Sequence, residues 1–246
     1  MPENGHGGMQ TPNREQSIEL LVEFTKDDDA RTRAMAVAGL AKARDPRGFA
    51  PTLVTLFDPV DEVRAAAATA LGIFGDVRAY EPLVQALEDP CIDVAVNCAW
   101  SLGQIPETRC LKMLFELVED EQVAMEIRRA AATAIGERSA LAGSDLATSD
   151  ELIEQARIIL LNVLEDADDE LRATSVWTLG HFPVDKQTTE KCIELLEDRY
   201  VWVVRYAIEA LAHFGDLAAL EPLEELTESE DEGIRKLAEK AVDMIR

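Results

Sequence analysis

The sequence has 246 residues, of which 47% are apolar and only 5% aromatic, and its formal net charge is −24. Much of the apolar share is alanine, which favours helices over strands. The negative charge argues against nucleic acid and anionic membranes as partners, because phosphate groups are bound by Lys and Arg side chains that release counterions. We therefore expect an acidic, all-α protein that binds neither.

The first thirteen residues, MPENGHGGMQTPN, show no apolar periodicity, and we expect a disordered N-terminal tail over 1–13. We find no signal peptide and no long apolar run. The four cysteines, at positions 91, 98, 110 and 192, form no C-x-x-C pair. They predict reduced thiols in a cytoplasmic protein, with Cys98 as a small buried hydrophobe. The excess of acids, with arginine well ahead of lysine, is typical of a salt-adapted cytoplasm.

From residue 14 onward the chain repeats one pattern. The clearest copy, DEVRAAAATALGIFGD over 61–76, has Arg64 seven residues before an apolar anchor, Leu71. Five of the six intervals between successive anchors are 31 to 33 residues, and the interval from Ile135 to Leu179 is 44. The anchors are Leu40, Leu71, Leu102, Ile135, Leu179, Leu211 and Val242. Such a spacing predicts helical units that bury their apolar faces only by stacking on one another.

A second helical pattern lies between the anchors. In the segment AYEPLVQALED over 79–89 the apolar residues share one helical face, and Pro82 falls in the first turn, where the missing N–H is tolerated. Each unit is therefore helix A, an acidic turn, helix B and a Gly-Asp-type turn. Small residues four before each anchor let helix axes approach closely: Ala36, Ala67, Cys98, Ala131, Ser175, Ala207 and Ala238.

The motif D-x-V-R-x-x-A-x-x-A-L-G-x-x-G-D, followed by x-A-x-x-P-L, resembles the HEAT-like repeats first described in phycobilisome lyases. The resemblance covers about 15–246 and implies a right-handed α-solenoid, an α–α superhelix, of about seven helix pairs over 14–246. The long interval indicates an insertion near 137–149. The family further implies an arginine ladder, in which each arginine pairs with the acidic turn of a neighbouring repeat: Arg33, Arg64, Arg128, Arg172 and Arg235.

Motifs that carry chemistry are absent from the sequence. The histidines, at positions 6, 181 and 213, include no His-Glu pair, and the zinc-protease, serine-hydrolase and P-loop motifs are missing. The acidic turns contain no D-x-D-x-D-G loop, and we interpret them as N-caps of the B helices and a solvated ridge. His181 and His213 lie near the ends of B helices, where an imidazole suits the helix dipole. We expect no catalytic residue, cofactor or metal.

One face of the B helices has an unusual composition. Positions nine, six and two before each anchor share this face, and it combines charged residues with all three tryptophans of the chain. In stacked repeats of this family helix B lines the concave surface. Tryptophan beside arginine is typical of binding hot spots. The predicted partner-binding site consists of Trp100, Arg129, Trp177, Trp202 and Arg205. The alternative is that each tryptophan bridges two B helices and is largely covered.

These observations predict a non-catalytic scaffold or adaptor that binds a protein on the concave face, in a signalling or regulatory setting. The family resemblance suggests an alternative, a lyase for bilin or another tetrapyrrole chromophore, or one subunit of such a lyase. The identity of the partner and the oligomeric state stay open.

Overall fold

A computed structural model describes residues 14–141, 150–166 and 168–246, and within these ranges the chain forms helices and turns without a β-strand. The α-helices form seven consecutive pairs, in which odd-numbered helices are A helices and even-numbered ones are B helices. This confirms the predicted all-α solenoid. The pairs are α1 (Arg14–Phe24) with α2 (Ala30–Ala43), α3 (Phe49–Thr55) with α4 (Asp61–Phe74), α5 (Tyr80–Ala86) with α6 (Ile92–Gln104), α7 (Thr108–Glu119) with α8 (Met125–Leu141), α9 (Asp150–Val163) with α10 (Asp169–Leu179), α11 (Lys186–Glu194) with α12 (Val201–Phe214), and α13 (Leu220–Leu226) with α14 (Glu232–Ile245).

The B helices form the continuous spine of the array. Each one packs against the B helices before and after it, whereas each A helix packs mainly on the B helix of its own unit. All seven anchors are at most 4% exposed, and the small residues four positions before them are buried as well. The periodicity of the sequence therefore identified the residues that join the units into one core.

In the second and third units the B helices approach so closely that the position directly after the anchor requires glycine. A Cβ atom on Gly72 would lie 2.9 Å from the Cα of Ser101 on the next B helix, and one on Gly103 would lie 2.6 Å from the Cβ of Ala134. The hydroxyl of Ser101 uses this proximity to donate a hydrogen bond of 2.8 Å to the carbonyl oxygen of Ala68.

The arginine ladder implied by the family pattern is present. Arg64 donates from Nε and Nη2 to the carboxylate of Asp89 in the next unit, at 2.6 and 2.8 Å, and from Nη1 to the carbonyl oxygen of Asp58 at 2.9 Å. Arg33 and Arg172 make the corresponding pairs with Asp58 and Asp198, and Arg128 reaches Asp166. The prediction is wrong for Arg235 in the seventh unit, which donates instead to the carbonyl oxygen of Ser229 in the turn of its own unit. The ladder joins successive turns and is a structural feature.

The acidic turns differ in part from the prediction. Asp29, Asp168 and Asp231 are N-caps of B helices, as expected. In the second and third units, however, Val60 and Cys91 occupy the N-cap positions. There the aspartate two residues earlier accepts the backbone N–H of the cap residue and holds the ladder arginine, because one carboxylate can bind both donors.

The predicted tail (1–13) and most of the predicted insertion (142–149) lie outside the described residues. The first part of the stretch expected to be an added loop, 137–141, is instead a continuation of α8. The B helix of the fourth unit is therefore longer than those of its neighbours.

Candidate functional site

The helix-B face of the fifth and sixth units carries an exposed aromatic cluster. Trp202, at the start of α12, is 45% exposed. The guanidinium carbon of Arg205 lies 4.9 Å from the centroid of its indole, within cation–π range, and the ring of Tyr206 lies 6.0 Å away. Arg205 therefore holds one face of an aromatic side chain that remains accessible to a partner.

A surface groove of about 230 Å³ adjoins this cluster, between α10 and α12. Trp177 forms one wall, with the ring of His181 at 4.6 Å in an edge-to-face arrangement. Nδ1 of His181 also lies 2.8 Å from the carbonyl oxygen of Trp177, which fixes the imidazole on the indole. The opposite wall belongs to α12. The lining residues are Trp177, Gly180, His181, Tyr206, Glu209, Ala210 and His213.

The groove contains three residues that the sequence pattern does not assign to a site. The pattern predicts only that His181 and His213 suit helix ends, and it gives no role to Tyr206. The structure brings all three to one groove. A signal was present in the sequence, because each histidine follows the anchor of its unit by two residues, so stacking places the two at equivalent points of adjacent helices.

Of the five predicted site residues, Trp177, Trp202 and Arg205 belong to this region, whereas Arg129 does not. Arg129, on α8, forms ion pairs with Asp168 at 2.5 Å and with Glu170. Its guanidinium joins the fourth unit to the fifth, and its positive charge is neutralised there.

Trp100 is also separate, because α8 lies between its helix and α10. The indole Nε1 donates to Oε2 of Glu137 on α8 at 3.0 Å, and the side chain of Gln104 donates to the same oxygen at 2.9 Å. Trp100 is half-buried. This arrangement agrees with the alternative interpretation, in which a tryptophan bridges two neighbouring B helices.

A larger groove, about 380 Å³, lies on the A side between α9 and α11. Six of its seven lining residues are polar or charged, and its cation, Lys191, already pairs with Glu165 and Glu194. The smaller groove on the helix-B side is the better candidate site, because it combines accessible aromatic surface with hydrogen-bonding groups.

The described residues contain no cluster of three metal-ligating side chains. Burial raises the pKa of the Cys98 and Cys192 thiols to about 12 and that of Cys110 to about 11. These three side chains are therefore neutral near pH 7 and act as small hydrophobes, as predicted for Cys98. Among the helices that the structure describes, none has the length and apolarity needed to cross a membrane.

A sequence model of HEAT repeats matches residues 18–90, 80–157 and 159–243, and the chain belongs to the HEAT repeat family. A comparison with curated protein sequences found no significant match.

Several solved structures share the fold. The CpcE–CpcF complex of phycocyanin lyase from Nostoc sp. PCC7120 is 19% identical, with a TM-score of 0.56 over 98% of this chain and 91% of that chain. The YibA protein of E. coli is 20% identical, with a TM-score of 0.62 over 95% and 82%. A designed armadillo repeat protein in complex with peptide (KR)4 is 18% identical, with a TM-score of 0.50 over 93% and 99%. At these identities the likeness concerns the fold alone.

Proposed function

We propose that this protein is a non-catalytic scaffold or adaptor, and that a protein partner binds the helix-B face around Trp177, Trp202 and Arg205. The observation that carries the proposal is the exposed indole of Trp202, which stacks with Arg205 beside an aromatic groove that the fifth and sixth units form together. Tryptophan, tyrosine and arginine are the residues that contribute most to binding energy at protein interfaces. Buried, neutral thiols suit a reducing compartment, and we propose a cytoplasmic location.

The packing supports a binding surface on the inner side of the array. Successive B helices contact each other closely, whereas the A helices lie mainly on their own B helices. A layer of more closely spaced helices is the shorter one, and in a curved array the shorter layer faces inward. Trp177 and Trp202 would then lie on the concave surface. The armadillo design in complex with peptide (KR)4 supports the idea that a repeat protein of similar fold can hold a peptide.

The proposal is tested by quantitative capture from a native lysate. The wild-type chain and a Trp202→Ala/Tyr206→Ala variant are immobilised, and the captured proteins are compared by mass spectrometry. We expect at least one protein to be lost from the variant. A Leu217→Ala variant, which removes an exposed apolar side chain that does not line the groove, serves as the control and should capture the same proteins as wild type. Identical capture by all three folded proteins would reject this face as the binding surface.

The second candidate function is a lyase, or lyase subunit, for bilin or another tetrapyrrole. The aromatic walls of the groove, formed by Trp177 and Tyr206, could stack on a conjugated ligand. Incubation with a bilin, followed by absorbance spectroscopy, separates the two candidates. A shifted bilin spectrum with wild type but not with Trp177→Ala would favour the lyase, and an unchanged spectrum favours the protein scaffold.

A further inference from the structure

The second unit carries an exposed apolar strip on its A helix. Val54 is 75% exposed and Phe57 is 54% exposed, and Ala50 is exposed one turn before Val54. The spacing of four and three residues places the three side chains on one side of α3 and the turn that follows it. The backbone N–H of Phe57 donates to the carbonyl oxygen of Val54 at 3.2 Å, so Phe57 continues the last turn of the helix. We call these three residues the α3 strip.

The repeat itself shows that the α3 strip is unusual. The positions equivalent to Val54 are polar in every other unit: Glu23, Gln85, Glu116, Asn162, Glu194 and Glu225. The positions equivalent to Phe57 are charged in every other unit: Lys26, Glu88, Glu119, Glu165, Glu197 and Glu228. All twelve of these side chains are exposed. Packing within the array therefore does not require apolar residues here, and two large ones together mark a surface for a partner.

The charges around the α3 strip indicate the chemistry of that partner. In the first unit the flanking equivalent positions carry Glu19, Glu23 and Lys26, and in the third unit Glu81, Gln85 and Glu88. The flanking units thus place four carboxylates and one ammonium group at these positions, and one of the carboxylates, Glu81, pairs with Arg109 of the fourth unit. A second copy of this chain would bring acidic borders against acidic borders, in a protein whose net charge is already −24. A partner with basic borders is attracted instead.

We propose that the α3 strip docks an amphipathic helix of a partner protein, whose apolar face is bordered by lysine and arginine. Such a helix presents apolar side chains at intervals of three and four residues, which match the spacing of Ala50, Val54 and Phe57. This surface is built from the A layer and is independent of the helix-B groove. A protein with both surfaces would hold two partners at once, as a scaffold does.

The test uses a fluorescein-labelled synthetic helical peptide, with leucines at i, i+3, i+4 and i+7 and with lysine and arginine on both borders. Its binding to the full chain is followed by fluorescence anisotropy. The decisive variant is Val54→Glu/Phe57→Glu, which installs the residue that most other units carry at these positions. We expect its affinity to fall by about tenfold or more. Non-specific attraction to an acidic protein would become stronger in this variant, because two negative charges are added.

Three controls keep the proposal falsifiable. Val54→Ala/Phe57→Ala removes apolar surface without changing charge and should also weaken binding, whereas Trp202→Ala on the other layer should not. A peptide with the same leucines but glutamate borders should bind poorly. Equal or tighter binding by Val54→Glu/Phe57→Glu, or equal binding of the glutamate-bordered peptide, overturns the proposal. So does a concentration-dependent dimer, detected by analytical ultracentrifugation, that disappears in Val54→Glu/Phe57→Glu, since a second copy would then occupy the strip.

Discussion

The second unit (α3 and α4) and the sixth unit (α11 and α12) contact their neighbours through equivalent positions. We call these positions the frame: the anchor, the small residue four before it, the ladder position seven before it and the residue directly after it. Their anchors, Leu71 and Leu211, are both fully buried, and so are the alanines four residues earlier, Ala67 and Ala207. These positions contact the neighbouring units, and a change of volume there would disturb two interfaces at once.

At their solvent-exposed positions the same two units differ in which helix carries large apolar or aromatic side chains. The sixth unit has Trp202 and Tyr206 on its B helix, where the second has Glu62 and Ala66. On the A helix the second unit exposes Val54 and Phe57, where the sixth has two glutamates. The comparison shows that the frame defines the fold and that the solvent-facing positions carry the differences between units. Binding functions can therefore be placed on either layer without changing the packing.

Two positions inside the frame also differ between these units. The second unit has the ladder arginine, Arg64, where the sixth has Val204, and it has Gly72 where the sixth has Ala212. Exchanging residues between the units shows how much each of these differences contributes to stability.

The largest effect is expected for Arg64→Val, which gives the second unit the residue of the sixth. The substitution leaves the carboxylate of Asp89, which is mostly buried, without its main partner. We expect the free energy of unfolding to fall by about 3 kcal/mol, measured by chemical denaturation. The control is Arg78→Val, which removes a pair of the same length, 2.6 Å, between the exposed Arg78 and Asp76, together with the contact of Arg78 over the Phe49 ring. Similar losses in both variants would contradict the role assigned to the ladder.

A smaller effect is expected for Gly72→Ala. The new methyl group would meet the backbone of Ser101 at 2.9 Å, and α4 and α6 would have to separate. We expect a loss of about 2 kcal/mol, seen as a lower denaturation midpoint. The reverse exchange, Ala212→Gly, should cost only about 1 kcal/mol, through helix propensity. A neutral Gly72→Ala would show that the two B helices can move apart freely.

The ladder also predicts a pH dependence. The side-chain hydrogen bond from Arg64 lowers the pKa of Asp89 in the folded state below its ordinary value of 3.8. The pair therefore stabilises the fold above that value, and its contribution is lost as the pH falls through the lower, folded-state pKa. The difference in stability between wild type and Arg64→Val should be constant near neutral pH and shrink below 3.8. Denaturation at several acidic pH values measures it, and a difference that grew on acidification would contradict this assignment.

The smallest effect on stability is expected for Trp202→Ala. Its indole is nearly half exposed and lies outside the frame, so we expect a loss below about 1 kcal/mol by thermal denaturation. Trp177→Ala should cost more, because its ring packs closely against the backbone at Gly136 on the preceding B helix. If Trp202→Ala proved as destabilising as Trp177→Ala, Trp202 would belong to the frame, and its role as a partner contact would be weakened.

The frame was predictable from the sequence, because each unit repeats the same local contacts. The anchors and the small residues before them recur at intervals of 31 to 33 residues, with one longer interval of 44, and each ladder arginine lies seven residues before its anchor. The structure buries the anchors and the small residues as expected, and it places the ladder arginines as expected except Arg235. The long α8 was not predicted, because the same interval rule assigned 137–141 to a loop.

The candidate site was predictable only in part. The stripe at nine, six and two residues before the anchor includes Trp177 and Trp202 but leaves out the positions of His181, Tyr206 and His213, which complete the groove. It also groups Trp100 and Arg129 with the others, although Trp100 donates a hydrogen bond to Glu137 and Arg129 forms an ion pair with Asp168.

By itself, the sequence determined the number of units, the side of each helix that is buried and the residues that join neighbouring units. These properties follow from local periodicity, since a helix pair can bury its apolar face only against adjacent pairs. The tertiary structure decided which exposed side chains meet across two units and which charges are already neutralised by partners. Those outcomes depend on distances between side chains of different units, which periodicity does not contain. For the same reason, the exposure of Val54 and Phe57 became evident only when all seven units could be compared in space.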